Sequence, residues 1–519
     1  MRFIASRWLA GIRQAILTLF VCATLVPLAT ATKHPRYGGT LRVELREAAI
    51  SLDPRSWKPG TLESAANERI AALVFDRLVS LDNYGHFQPE VAVEWSHDAT
   101  SRRWQIRLRD GVKFSDDAPL TAADVVAALQ PLLSATTQLS ASGNTVVLQS
   151  ATPLPDLLEL LASGRYFIYR VQPDGALAGT GPFFVSEALP VASDGKNARY
   201  VLRASENCWA GRPFVDAVEL ILGLPALRRL LDLQLGKADL IEIAPELVRR
   251  ASQENLRVWA STPVITYGLR IDASQSAASN AQLRQALSYS LDRSTMANVL
   301  LQRQAEPAAA LLPQWLSGYA FLFDVDTSLD RAKELRATLP ASLAASGEPL
   351  RLRVDAPGEL PKLLAERVAV NARQAGLTVQ VLNRPVQREA GAAPLREELA
   401  ASLHLFAWHV TSLSPRLELE SLLKAFGTSD SSGVDNTAAE PEQLYARERK
   451  ILEDRRVLPL VALPEYAGLG ASVRNWLPAR WGEWHLADVW LDVLEAAPAA
   501  ANSPVGPIQQ QGAPAGANP

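Results

Sequence analysis

The sequence predicts an α/β protein of two or three domains, and three observations carry that reading. The chain has 519 residues, more than one hydrophobic core organises. Segments with two-residue apolar alternation follow segments with helical spacing, and no repeat period links them. The stretch PKLLAERVAVNARQAG runs through Gly376 directly into LTVQVL, the helix-glycine-strand order of α/β packing. Apolar residues at 48% and charged residues at 21% match an ordinary soluble globular chain. A formal charge of −3 leaves no basic footprint for nucleic acid or an acidic membrane.

The elements are justified in chain order. Arg2, Arg7 and Arg13 precede AILTLFVCATLVPLA and then Ala29-Thr30-Ala31. A basic start, a short apolar run and a small-x-small site describe a secretory signal peptide cut after Ala31. A retained anchor helix is the other reading of this segment, though Pro27 breaks the run and it is short for a full span. Cleavage takes the formal charge from −3 to −6 and leaves Cys208 alone, so no internal disulfide is expected. LRVELR at 41, TVVLQ at 145, YVLR at 200, AVELIL at 217 and ITYGLRI at 265 read as strands. WQIRLRDGVKF reads as a β-hairpin, with Trp104, Ile106 and Leu108 on one face and Asp110-Gly111 in the turn. In PLTAADVVAALQPLL, Thr121 is the N-cap and Asp124 stands three residues on. LRQALSYSLDRSTMANVLL and EQLYARERKILEDRRVLPL read as further helices. Residues 427–441 form a polar loop, and WHLADVWLDVL closes the folded part near 495. The tail 496–519 is rich in Pro, Ala, Gly and Gln and is expected to be disordered.

Catalytic and metal chemistry find little support. Ser421 and Lys424 have Ser-x-x-Lys spacing, but no Ser-Asp-Asn or Lys-Thr-Gly element accompanies them. None of the six histidines stands in a metal-ligand spacing, and His404 and His409, five apart, fall on opposite faces of a strand. Gly179-Thr180-Gly181-Pro182 lacks the lysine of a phosphate loop and instead suits a close approach of two segments.

Four blocks stand in order: YGGTLRVELREAAISLDP; VFDRLVSLDNYGHFQPEVAVEWSHDATSRRWQIRLRDGVKFSDDAPLTAADVV; GTGPFFV with ENCWAGRPFVDAVEL; and LRQALSYSLDR. Together they resemble the family 5 extracellular solute-binding proteins of ABC importers, the dipeptide, oligopeptide and nickel binder group. The likeness runs from about 38 to about 470, with Cys208 where an aromatic is usual. It implies a two-lobed periplasmic-binding-protein fold of type II with an extra subdomain, mixed sheets flanked by helices and a ligand cleft between the lobes. The first lobe would be 38–75, 176–265 and 456–495, the extra subdomain 76–175 and the second lobe 266–455. Crossings near 265 and 455 would be the hinge. The implied function is capture of a peptide-like or other small polar solute and delivery to an ABC permease in the inner membrane. The protein would work in the periplasm as a monomer, with no cofactor, metal or catalytic residue. A sensor or scaffold role on the same fold is the alternative, and an exported hydrolase stands third.

Two segments of the family pattern line the cleft, here Arg55–Thr61 and Trp408 onward. In peptide-binding relatives the second runs Trp-x-x-Asp with a Pro four residues later, and the Asp can receive the ligand's α-amino group. Here Trp408 and Pro415 hold those places and Thr411 replaces the acid, with Ser412 and Ser414 beside it. A hydroxyl offers a buried ammonium a dipole but no charge, so an ordinary free-amine peptide loses its anchor. Lys58 would instead favour an anionic group. The resemblance implies ligand contacts at Trp57, Lys58, Gly60, Thr61, Tyr267, Trp408, His409, Val410 and Thr411. The polar loop at 427–441 stands where relatives have a longer run, implying a smaller or more open site.

Overall fold

The computed structural model describes residues 34–162, 164–189, 197–272, 274, 276–339, 349–382, 401–427 and 441–492. The expected signal peptide, the tail 496–519 and most of the loop 427–441 lie outside them. An eleven-stranded mixed sheet is the frame. Its order is Phe183–Leu189, Arg199–Ala204, Ala217–Ile221, Thr40–Glu44, Leu240–Ile243, Val457–Leu469, Arg257–Ile271, Leu403–His409, Leu350–Val354 and Val379–Leu382, with the short Glu306–Pro307 paired to Val457–Leu469. Thr40–Glu44 and Leu350–Val354 are parallel to both of their neighbours, and the other pairs are antiparallel.

Apolar side chains of this frame collect into separate cores. One gathers Leu41, Val43, Phe75, Phe183, Leu220 and Leu469. A second gathers Leu269, Leu287, Leu352, Leu364, Leu405 and Leu460. A third belongs to the four-stranded antiparallel sheet of Ala92–His97, Arg103–Leu108, Thr145–Ser150 and Thr137–Ser142. In Arg103–Leu108, alternate residues Trp104, Ile106 and Leu108 are buried, as the two-residue period requires.

Two strands belong to both of the larger cores. Arg257–Ile271 and Val457–Leu469 pair along their length, from Arg257 opposite Leu469 to Arg270 opposite Val457. Leu458, Leu460, Val461 and Leu463 pack into the second core, whereas Ala467 and Leu469 pack into the first. At the changeover Pro263 faces Pro464, and the register shifts on both sides of Pro263. Proline has no N–H to give the ladder, so the pairing is weakest where the chain passes between cores.

Several local expectations are met. Thr121 and Asp124 form a reciprocal capping box at the start of Ala122–Leu129. The helix Glu359–Gln374 leads through Gly376 into Val379–Leu382. The Gly-Thr-Gly-Pro stretch is a close approach: a Cβ on Gly179 would lie 2.0 Å from the Val74 carbonyl oxygen, and one on Gly181 would lie 2.7 Å from it. Thr180 between them donates to the half-buried Asp76, 2.8 Å away.

Three expectations change. The hairpin around Asp110-Gly111 does not form, because Arg103–Leu108 finds its partners in Ala92–His97 and Thr145–Ser150. The turn is present, with Gly111 at φ +78°, but Phe114 then bonds back to Ala118. Long-range pairing with a larger apolar face outweighs the local turn signal. The helix expected over 283–301 breaks after Ser290, where Asp292 accepts from the Thr295 N–H and starts a new turn. The helix Pro441–Glu453 ends before Arg455, whose φ is +49°, and VLPL opens the long strand instead.

Gly179→Ala should cost about 2–3 kcal/mol in urea unfolding, because its Cβ meets backbone that cannot step aside. Gly143→Ala, in open space at φ +57°, should cost about 1 kcal/mol by backbone strain alone.

Candidate functional site

The segments Arg55–Thr61 and Trp408 onward come together. The first is a tight turn: Asp53 caps the short helix Pro54–Ser56, and Thr61 caps Leu62–Ala71 by accepting from the Ser64 N–H. Between the caps lies Gly60 at φ +78°, and a Cβ there would fall 2.1 Å from the Trp408 ring. Only glycine leaves room for the indole. The His409 N–H then donates to the Gly60 carbonyl at 2.8 Å, and the Val410 N–H to Val264 at 2.9 Å.

Beyond His409 the chain wraps around one buried carboxylate. Glu418, 1% exposed, reaches back from the helix Pro415–Phe426. Its Oε1 accepts from Trp408 Nε1 at 2.6 Å; its Oε2 accepts from the Thr411 N–H at 2.9 Å, the Thr411 hydroxyl at 2.7 Å and the Ser412 N–H at 3.0 Å. An acid therefore does stand next to Thr411, but four donors occupy its oxygens. Burial raises its pKa, and the bonds from Thr411 and Trp408 counter only part of that rise. On the same segment Asp156 accepts from Arg416 Nε at 2.6 Å and from the Ser414 hydroxyl at 3.3 Å, linking the third core's neighbourhood to this helix.

One cavity touches the segment, and a second shares Arg69 with it. The first, of about 60 Å³, is lined by Glu68, Arg77, Thr411, Trp481 and Glu483 among others. Arg77, 3% exposed, holds Glu483 at 2.7 Å and Glu68 at 2.9 Å across it. The other, about 120 Å³, lies along the two shared strands and is lined by Arg46, Arg229, Trp259, Tyr267, Tyr466 and Trp484 among others. Burial pushes the Tyr267 phenol up to about 12, so it stays a neutral donor.

Arg69 lines both cavities. Its guanidinium bonds Glu242 at 2.7 Å and Glu465, and sits 4.7 Å over the Trp484 ring. Burial alone would raise Glu465, but Arg69 and His409 hold its carboxyl well below the usual range. His409 Nδ1 lies 2.8 Å from the Val410 carbonyl, so that nitrogen carries the proton. A neutral ring then aims the Nε2 lone pair at Glu465, 3.5 Å away, and protonation turns the contact attractive. Burial lowers the imidazole, yet Glu465 outweighs it and the net pKa is raised.

Of the remaining sequence-derived contacts, Trp57 packs in the first core, 6.1 Å from Phe167 and bonded to the Ser51 carbonyl. Lys58 is exposed, Thr61 serves as a helix cap, and Tyr267 lines the larger cavity apart from Thr411. His404 points elsewhere and bonds Asp355 at 3.0 Å. Sequence reasoning missed Glu418, Arg69, Glu465, Trp259 and Trp484. Glu418 had a signal, since an acid one turn into a Ser-Pro-started helix can reach back over the preceding loop. The Asp156–Arg416 pair, 260 residues apart, had none.

A family model for "Bacterial extracellular solute-binding proteins, family 5 Middle" matches residues 86–428. Among known proteins, the nickel-binding periplasmic protein of Escherichia coli K12 is 22% identical over 416 residues, 72% of this chain and 75% of that protein. The periplasmic murein peptide-binding protein MppA of the same strain is 23% identical over 387 residues, 64% of this chain and 69% of that one. Among solved structures, NikA of Brucella suis superposes with a TM-score of 0.72 at 18% identity, covering 87% of this chain and all of NikA. The Escherichia coli MppA structure gives 0.70 at 18% identity over 87% of this chain and 98% of MppA. The unliganded open form of MppA gives 0.60 at 17% identity, covering 87% and 97%. These neighbours share a two-lobed α/β architecture with this chain.

Glu418→Ala should cost about 3 kcal/mol in urea unfolding by leaving four donors unanswered, against about 1 kcal/mol for Thr411→Val. His409, with its folded pKa raised, contributes stability that is fully present below about pH 6.5 and is lost as pH rises through the folded value. The stability difference between wild type and His409→Gln should therefore shrink from pH 6 to pH 9 in parallel denaturation series.

Proposed function

The chain belongs to the family 5 bacterial extracellular solute-binding proteins, and we propose that it captures a peptide-like or other small polar solute and hands it to an ABC-type permease of the inner membrane. It acts as an exported monomer in the periplasm, the compartment named for its relatives, and as a binder without catalysis. The observation that carries this reading is the cavity along the two shared strands, whose walls come from both large cores.

The lobes follow the cores. The first comprises 38–75, 176–265 and the last segment, the second begins at 266, and 76–175 forms the extra subdomain around the third core. Packing of Leu458–Leu463 in the second core favours a return crossing at Pro464, facing Pro263. Bending there separates Gly60 from His409 and Asp156 from Arg416, so those contacts belong to the closed state, which ligand stabilises.

Solute contacts fall to Tyr267, His409, Val410 and Thr411 on the cavity walls, with Gly60 and Trp408 holding the wall in place. Because Glu418 is saturated, it is not free to receive an α-ammonium beside Thr411. In a thermal-shift panel, unmodified di- to pentapeptides should leave the melting temperature unchanged, while N-blocked, anionic or sugar-like solutes should raise it. A tight complex with an unmodified peptide overturns the solute class. Failure of mass spectrometry to find any small solute on the natively exported protein, joined to a silent panel, overturns capture itself. For a solute identified this way, Asp156→Ala should raise Kd about tenfold by weakening the closed state.

A further inference from the structure

The Asp-Arg that ends LRQALSYSLDR finds no use in the cleft. Asp292 caps the turn Arg293–Thr295 by accepting from the Thr295 N–H at 2.9 Å, which turns Arg293 inward. Arg293 is 5% exposed, and its Nε donates to the Pro459 carbonyl at 2.7 Å. Among the described residues this is its one hydrogen bond, and no carboxylate pairs with it. Its terminal nitrogens are not sealed in protein but open on a cavity of about 320 Å³. That cavity shares no lining residue with the two beside Thr411 and Tyr267.

The other charges around the cavity are largely spent. Arg449 pairs with Glu453 at 2.9 Å, and Arg455 donates to the Glu453 carbonyl and lies 5.6 Å over the Tyr289 ring. Asp324 and Asp326 line the same cavity from an exposed stretch and have no ion-pair partner among the described residues. Burial pushes Arg293 down to about 10, and Asp326 offsets that only in part. Carboxylates pair with neither Arg293 nor Arg455 among the described residues, so the unspent set is the deep Arg293 guanidinium, Arg455 against its aromatic ring, and two carboxylates nearer the solvent. A planar guanidinium with free N–H groups matches a carboxylate in fork geometry. A plain anion would meet the two aspartates, and a plain cation would meet the arginine.

We propose that this outer cavity is a second solute site for an amino-acid-sized zwitterion, whose carboxylate sits on Arg293 and whose ammonium faces Asp324 and Asp326. Leu322, Phe323 and Tyr445 supply an apolar wall for its side chain, and the Tyr445 ring offers a π face to the ammonium. The site is independent of the cleft and of what the cleft binds.

The test is calorimetry on the full chain with the common free amino acids, and with acetate and methylammonium as single-charge probes. At least one amino acid should bind one-to-one, with each single-charge probe at least tenfold weaker. The Asp324→Asn/Asp326→Asn variant, altered on exposed positions, should weaken amino-acid binding at least tenfold. Arg293→Lys, which keeps the charge without the fork, should weaken it too, and Asp156→Ala should leave it unchanged. The proposal is overturned if no amino acid binds, if acetate binds as tightly, or if the double asparagine variant binds like wild type. It is overturned equally if Asp156→Ala weakens the binding about tenfold, since the solute would then sit in the cleft.

Discussion

Arg69 is the charge on which the arrangement of the site depends. It leaves the helix Leu62–Ala71 almost fully buried and answers to carboxylates on two different strands, Glu242 and Glu465. A guanidinium taken out of water costs several kcal/mol, and only well-placed partners offset it. Once those partners are fixed, much else follows. Glu465 is held ionised and draws His409 toward the protonated state against the opposing charge of Arg69, while the His409 N–H bonds the Gly60 carbonyl. The pair also forms a partition, since Arg69 walls both cavities.

Against this electrostatic clamp stands a mechanical weakness. The long strands that carry Glu465 and the approach to His409 lose ladder bonds at Pro263 and Pro464 and slip register around them. Glu465 follows Pro464 directly, so the clamp sits where the pairing slips. Under the proposed closure, a small rotation there would be met by a charged contact that distinguishes one geometry from the other. Asp156 and Arg416 would add a second such contact.

What the sequence discloses is uneven for physical reasons. Local rules succeeded where the partners are close along the chain, as at Thr121 and Asp124, or where a residue type permits only one thing, as at Gly179 and Gly181. They failed at Asp110-Gly111, where the turn exists but a distant strand wins the pairing. At the site, the pattern around Trp408 pointed to a segment that does line a cavity, at Thr411. It could not show that Trp57 turns into a core or that Trp259 and Trp484 converge on a cavity, because those outcomes depend on contacts across hundreds of residues. Charge clusters are the least legible feature. Arg69, Glu242 and Glu465 look like ordinary surface residues until the fold desolvates them together.

The sealed Glu418 limits how this wall can change. An aspartate placed at 411 would set a second carboxylate against one already buried, while removing the hydroxyl that bonds it. Two like charges at that depth cannot both stay ionised. Glu418 is the more deeply buried of the two and its pKa is already raised, so it would take up the proton. A protonated Glu418 is a poorer acceptor for Trp408 Nε1 and for the backbone N–H groups of 411 and 412. The wall is a ratchet: a charge gained at 411 loosens the carboxylate that now holds the wall up.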